Sequence, residues 1–362
     1  MMNNNERALY KELCSFLTAD PDRLSYLIKK AATPAVLGKL HYNRMQGVAL
    51  QTIKRYAPNA PINREFKNSL KLVSKINRMK NDDLYKVLDE LRKALDGKEE
   101  KYAALKGALL CGMYPEGCRT SNDVDLLVRQ KDLTEIGDCL RQCGFRQGKV
   151  TENGFVPADR KEIINSRINR GETIPYIKEI NGKAETFAEV DLNFSLDYKN
   201  GGDKLTDSIL NRSYDKKVGQ SIVRTLSNED FLVHLCCHLY KEAATLPWIG
   251  MRRDMTMYKY CDIYFLLHGM DTEGVDAFFS RSHSLGVDRA CAYAVLSADA
   301  LFINVNRYAV LRARELMKGD DLTMVRVTAP AEKKEYEYTT SDIAERFFSA
   351  DRTKLLREVT EK

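Results

Sequence analysis

The feature that most restricts this chain is the run Asp123-Val124-Asp125-Leu126-Leu127-Val128, where two acids are threaded into residues that belong in a core. The alternation predicts a strand over Val124 to Val128, on which successive side chains point to opposite faces. Asp123 and Asp125 then leave the same face, with Cα atoms about 6.6 Å apart. Holding that carboxylate pair on a buried face without a counter-charge costs about 2–3 kcal/mol at an effective dielectric near 20. Acids alternating along a strand more often mark a solvated face, but here the flanking Val124, Leu126 and Leu127 tie the strand to a core. A divalent cation removes the repulsion, and all-oxygen ligands suit Mg²⁺ or Mn²⁺. Asp191, in the strand-like run Val190-Asp191-Leu192-Asn193-Phe194, supplies the third acid that two-metal chemistry needs.

Around this strand the periodicity changes twice. Leu9, Leu13, Phe16 and Leu17, then Leu24, Leu27, Ile28 and Ala31, recur at helical spacing, so the first sixty residues read as short helices. After the break Tyr56 to Pro61 a long amphipathic helix carries Phe66, Leu70, Val73, Ile76, Leu84, Val87, Leu88, Leu91 and Leu95, with Gly97 placed to close it. That helix is expected to bridge two units. Tyr102 to Leu105 reads as a strand, and Lys131 to Cys143 as a helix. Two strand-like runs between Glu172 and Leu196 flank Asn181-Gly182, a hairpin signal. Helical periods return from Leu226, with Ser227 as N-cap and Asp230 three residues on. Residues 318–338 look irregular or extended, and Thr340 or Ser341 is expected to cap a last helix through Phe348. The domains expected are 1–98, a helical region; 99–225, α/β; 226–317, helical; and 318–362, an extension.

At 362 residues the chain exceeds what one hydrophobic core usually serves. Apolar residues make up 44% and charged ones 30%, which excludes a disordered or low-complexity chain. The net charge of +6 permits an anionic partner without indicating one, and no basic stripe with interleaved aromatics favours RNA. The N-terminus is polar and acidic within six residues, so no export is expected, and no apolar run approaches the roughly 18–20 residues of a membrane span. Nine cysteines without paired spacing read as reduced thiols of a cytoplasmic protein.

Lys106-Gly107, Tyr114-Pro115 and Arg119 to Val128, in that order, resemble the uncharacterised nucleotidyltransferase-like proteins of the polymerase-beta superfamily. The match is specific over about 25 residues and looser through Gly144-Phe145 and Asp191 to a helical C-terminal half, roughly residues 100 to 270. The resemblance implies an α+β fold: a nucleotidyltransferase palm, a small mixed sheet with helices, flanked by N- and C-terminal helical regions. It implies that Asp123 and Asp125 bind metal, and that Asp191 binds the catalytic ion and draws the acceptor's proton. Lys106 and Gly107, at a helix N-terminus, would meet the triphosphate, with Arg119 and Ser121 as further nucleotide contacts; Arg119 serves equally well as a loop brace. The chain departs from the pattern in two places. Better-known nucleotidyltransferases have Gly-Ser at Lys106-Gly107, and relatives often have Glu-x-His where this chain has Asp191-Leu192-Asn193. Glu189, two residues earlier on the same face, therefore competes with Asp191.

Arg252, Arg253, Lys259 and Asp262 loosely resemble a basic and acidic helix that closes over nucleotide; Lys259 and Asp262 are three apart on one helical face, although a solvated ion pair is the commoner meaning of such spacing. His234 and His238 are four apart, but no further Cys or His cluster completes a zinc site, and a buried structural histidine is expected there. The expected activity is metal-dependent transfer of NMP from a nucleoside triphosphate, ATP among them, to a hydroxyl of a small molecule, an RNA 3′ end or a protein. The alternatives are an inactive nucleotide- or metal-binding regulator and a two-metal phosphohydrolase.

Overall fold

The strand expected around Asp125 lies near the middle of an eight-stranded mixed sheet. The computed structural model describes residues 2–169, 172–195 and 203–359; Leu196, where the second predicted strand run ends, lies outside them. The strands of this sheet are β1 (Tyr102–Ala104), β2 (Val124–Val128), β3 (Arg146–Thr151), β4 (Gly154–Pro157), β5 (Tyr176–Glu179), β6 (Phe187–Asn193), β7 (Tyr214–Val218) and β8 (Ser221–Thr225). Their order is β4-β3-β5-β6-β2-β1-β8-β7. β2 pairs antiparallel with β1 and parallel with β6, which sets the two acidic strand runs side by side. Val124, Leu126, Val190 and Leu192 are buried, so the core fixes which way the acids of both strands point. The fold is α+β.

Four of these strands escaped the sequence reading. β3 and β4 form one hairpin and β7 and β8 another, and β4 and β7 are the two edges of the sheet. As an edge strand β7 tolerates its polar run Tyr214-Asp-Lys-Lys because one side faces water, whereas β3, with Arg146-Gln-Gly-Lys, is paired on both sides and exposes most of its side chains.

The predicted long helix spans Arg64–Ala94, and Gly97 beyond its end has φ +73. Its apolar stripe was legible, but it also carries buried polar residues that brace loops. Asn77 Nδ2 donates to Gly117 O at 3.1 Å and Asn81 Nδ2 to Arg119 O at 2.9 Å, fixing the loop that leads into β2. The Asp83 carboxylate accepts the N–H groups of Lys183 and Ala184 at 2.8 Å each and of Glu185 at 3.2 Å. Burial pulls Asp83 upward, yet these donors hold it below the usual carboxylate range. They also shape the connection of the expected hairpin, which forms. β5 and β6 are antiparallel, but Glu179 pairs with Phe187, so a longer loop replaces a two-residue turn. Gly182 does not take the left-handed backbone of such a turn; a Cβ there would lie 2.4 Å from Glu185 O and 2.6 Å from Asp83 Oδ2. The glycine admits the Asp83 carboxylate.

The chain forms two compact units, one of residues 72–231 and one combining 1–71 with 232–362. The first holds the eight-stranded sheet. The second is largely helical. Its four N-terminal helices, Asn4–Cys14, Pro21–Ala31, Pro34–Tyr42 and Gln46–Tyr56, are joined to C-terminal segments by bonds such as Lys11 Nζ to Ala300 O at 2.6 Å and Lys39 Nζ to Phe347 O at 2.9 Å. The extended region resolves into β9 (Arg326–Ala329) and β10 (Lys334–Tyr338), which with β11 (Leu356–Glu358), unforeseen in the sequence, make a three-stranded antiparallel sheet. Ser227 caps Asn228–Ala243 as expected, accepting the Asp230 N–H at 3.3 Å. The last helix, Ile343–Phe348, is capped by Asp342 rather than Thr340 or Ser341; a carboxylate accepts the N–H groups of Ala344 and Glu345, and Thr340 donates to Glu345 instead. All nine cysteines are free thiols, buried except for Cys139 and Cys143. Among the described residues no helix is long and apolar enough to cross a membrane.

Candidate active site

Parallel pairing puts Asp125 of β2 directly beside Asp191 of β6. On β6, Phe187, Glu189, Asp191 and Asn193 alternate with the buried Ala188, Val190 and Leu192, so both candidate third acids share the face of Asp125. Asp123 stands one residue before β2 and accepts the Ser121 hydroxyl at 3.0 Å. Two donors converge on Asp125 Oδ1: Lys106 Nζ at 2.8 Å and Asn193 Nδ2 at 3.0 Å. A narrow cleft lined by Asp83, Ser121, Asp123, Phe187 and Glu189 opens beside this face.

Lys106 precedes helix Gly107–Met113 in a backbone conformation rare for a side-chain-bearing residue, φ +45 and ψ −120. Such geometry costs on the order of 1–3 kcal/mol and persists where surrounding contacts impose it. The next residue explains the constraint. A Cβ on Gly107 would fall 2.1 Å from Ser121 Oγ, so glycine lets the two loops close.

The electrostatics are one-sided. Burial and the charges of Asp125, Glu189, Asp123 and Glu172 push Asp191 up to about 8. Burial and Asp125 raise Asp123, against the opposing pull of Lys106, Ser121 and Arg119. Glu189 is raised by burial, then by Asp123 and Asp125. Four carboxylates thus share a largely buried face with too little positive charge. Among the described residues no three His, Cys, Asp or Glu side chains close into a ready metal cage. An all-oxygen set short of positive charge nevertheless fits a hard divalent cation.

The fold gathers Lys106, Gly107, Arg119, Ser121, Asp123, Asp125 and Asp191 in one unit. Arg119 is buried, its guanidinium donates to Thr120 O, Asn81 holds its carbonyl, and its charge pulls Asp123 down. Ser121 meets Asp123. Lys259 and Asp262 belong to the other unit, where Lys259 pairs with Glu242 and Asp262 is 2% exposed. Lys259 finds a buried acid on helix Asn228–Ala243. On that helix His238 Nε2 lies 3.2 Å from Glu242 Oε1, and the His234 and His238 rings stack at 6.2 Å.

Sequence reading missed Asn193 as a ligand of Asp125, Glu172 as a further charge on Asp191, and the loop-holding Asn77, Asn81 and Asp83. Asn193 carried a signal, since it lies two residues beyond Asp191 on the same strand face. The helix polar residues carried none, because only the packed loops reveal why a helix buries amides.

A mixed sheet with carboxylates clustered across two neighbouring parallel strands, fed by a tightly packed glycine-containing loop, defines an α+β protein with an acidic face. The chain belongs to a family of uncharacterised nucleotidyltransferases, whose match covers residues 30–303. Membership gives nucleotidyl transfer as the class of chemistry and a nucleotide as substrate. No curated protein matches the chain. A crystal structure of an antigenic nucleotidyltransferase-like protein from Paracoccidioides brasiliensis is similar at 16% identity over 62% of this chain and 94% of its own, with a TM-score of 0.34.

Proposed function

We propose that the protein moves an NMP from a nucleoside triphosphate to a hydroxyl acceptor and releases pyrophosphate. The observation that carries this reading is the register of Asp125 against Asp191, which gathers buried acids from two strands on one face. Asp123, Asp125 and Asp191 would hold Mg²⁺ or Mn²⁺. When bound, such an ion neutralises triphosphate and carboxylates alike and steadies the departing pyrophosphate. Asp191 serves as base, taking the proton of the acceptor hydroxyl. The acceptor oxygen bonds to the α-phosphorus as the bond to the β-phosphate bridge breaks, and the hydroxyl proton passes to the Asp191 carboxylate. Lys106, now on Asp125, turns to the incoming phosphates. Ser121 orients Asp123, and Asn193 orients Asp125.

A second reading, a nucleotide-binding regulator without turnover, draws support from the Lys106 ammonium, which already supplies Asp125 with positive charge. One experiment separates the two. Protein is incubated with each α-labelled nucleoside triphosphate, Mg²⁺ and, in turn, RNA, protein and small-molecule fractions of a cell extract. Metal-dependent label on an acceptor supports transfer; tight nucleotide binding without label supports the regulator; release of inorganic phosphate or cut strands moves the site to the phosphohydrolases.

A further inference from the structure

The helical unit contains a cavity of about 330 Å³ that the acidic face of the sheet does not account for. That volume is at the lower end of small-molecule sites. Its walls include Gly38, Lys39 and Tyr42 of helix Pro34–Tyr42, the turn at Arg252, and Phe348 and Arg352 near the C-terminus.

Charge in this cavity is unbalanced in the positive sense. Arg352 is neutralised, since its Nε and Nη2 donate to the two oxygens of buried Asp254 at 2.6 Å each. Lys39 has no comparable partner. Its ammonium donates to Phe347 O at 2.9 Å and lies 4.2 Å from the centre of the Phe347 ring, and among the described residues it forms no ion pair. Arg252 forms none either, nor does Arg7, whose guanidinium sits 5.2 Å from the ring centre of Phe348. The nearby Asp351 carboxylate accepts the Thr353 N–H at 3.1 Å and its hydroxyl at 2.6 Å, keeps its charge and attracts Arg252 from beyond ion-pair distance, so it offsets only part of the excess carried by Lys39, Arg252 and Arg7. Burial, Arg352 and Arg7 together push Lys39 down to about 8, in spite of Asp254. A carbonyl and two aromatic rings offset only part of the cost of holding a lysine charged among other cations.

Arg252 adds a second observation. Its backbone has φ +58, a conformation in which glycine is comfortable and arginine is not, and Tyr42 Oη donates to Arg252 O at 2.9 Å to hold the turn. An arginine therefore lines the cavity from a position whose backbone favours the smallest residue.

From this geometry we infer that the cavity binds a small phosphoryl anion, with Lys39 and Arg252 as its charged contacts and Tyr42 and Phe348 as its walls. The site is opposite in charge to the carboxylate face and independent of the transfer reading. An oxyanion here pairs with Lys39 and Arg252 and removes the cationic excess, while the Arg352–Asp254 pair stays intact as a support.

Calorimetric titration of the whole protein with inorganic pyrophosphate, and separately with inorganic phosphate, tests this in buffer containing EDTA, which keeps metal-assisted binding at the acidic face from contributing. Saturable binding of at least one anion is expected. Lys39→Met and Arg252→Gly should each weaken it about tenfold or more, and Asp123→Asn with Asp125→Asn should leave it unchanged. Lys39 packs on Phe347, so its replacement can disturb folding; Arg252→Gly puts glycine where φ is positive, keeps the fold and decides the matter by itself. No binding of either anion up to about 10 mM would overturn the inference, as would binding that Arg252→Gly leaves intact or that the double aspartate variant abolishes.

Discussion

The two units bury acids in opposite ways. On the sheet, Asp123, Glu189 and Asp191 are all held above the ordinary carboxylate range by burial and by one another. In the helical unit, Glu242 is as deeply buried, yet His238 and Lys259 outweigh the burial and draw it down to about 2. Burial alone therefore does not mark a functional acid. An acid with its counter-charge built in has a structural task, and acids crowded without enough counter-charge keep an unmet demand that a ligand can meet.

The sharpest way to break this contrast is to remove the crowding. Asp123→Asn with Asp125→Asn should abolish metal-dependent transfer, by roughly 10³-fold or more in single-turnover labelling, while the metal-free protein melts close to the parent, relief of the carboxylate repulsion being set against loss of the Lys106–Asp125 ion pair. Retained transfer with an unchanged metal requirement would remove these residues from the metal site.

Asp191→Asn should cost roughly 10²-fold in transfer while nucleotide affinity stays within a fewfold, the signature of a lost base. Glu189→Gln measured beside it decides between the two acids; loss confined to the second variant moves the role to Glu189. Asp191 also has a pH signature. Its folded-state pKa lies above the unfolded value, so its contribution to stability is full below about 4 and is lost as pH rises toward about 8. Melting of the metal-free protein between pH 5 and 9 should fall less steeply in Asp191→Asn than in the parent, and identical slopes would contradict the crowded-acid picture.

The paired acid should behave in the opposite sense. Glu242→Gln leaves Lys259 and His238 without their carboxylate and should destabilise the protein by about 2–4 kcal/mol in denaturant titration. Because Glu242 is depressed, its stabilising effect is present above about pH 4.5 and lost toward pH 2. A variant as stable as the parent would show that pairing in the helical unit carries no weight.

The smallest effect is expected at Asn81→Ala, which frees the Arg119 carbonyl and loosens the loop into β2. Stability should drop by about 1 kcal/mol and transfer by about five- to tenfold, with KM little changed. An unchanged rate would make the long helix a passive support.

The strand at Asp125, the helical ends, the long helix and the family resemblance were legible in the chain because each rests on local periodicity or a short motif. Val124, Leu126, Val190 and Leu192 had to face a core, and that requirement sends Asp125 and Asp191 each to the face of its own strand opposite those residues. Only the tertiary structure decided that β2 and β6 are neighbours in register, that Lys106 and Asn193 meet at one oxygen of Asp125, that Asp83 rather than a tight turn shapes the loop into β6, and that Lys259 serves Glu242 instead of standing free. Pattern fixes which face a residue takes, since that depends on its near neighbours. Which charges finally share that face depends on segments far apart in the chain, such as those carrying Lys106, Asp125 and Asp191, and their pairing exists only once the core has brought them together.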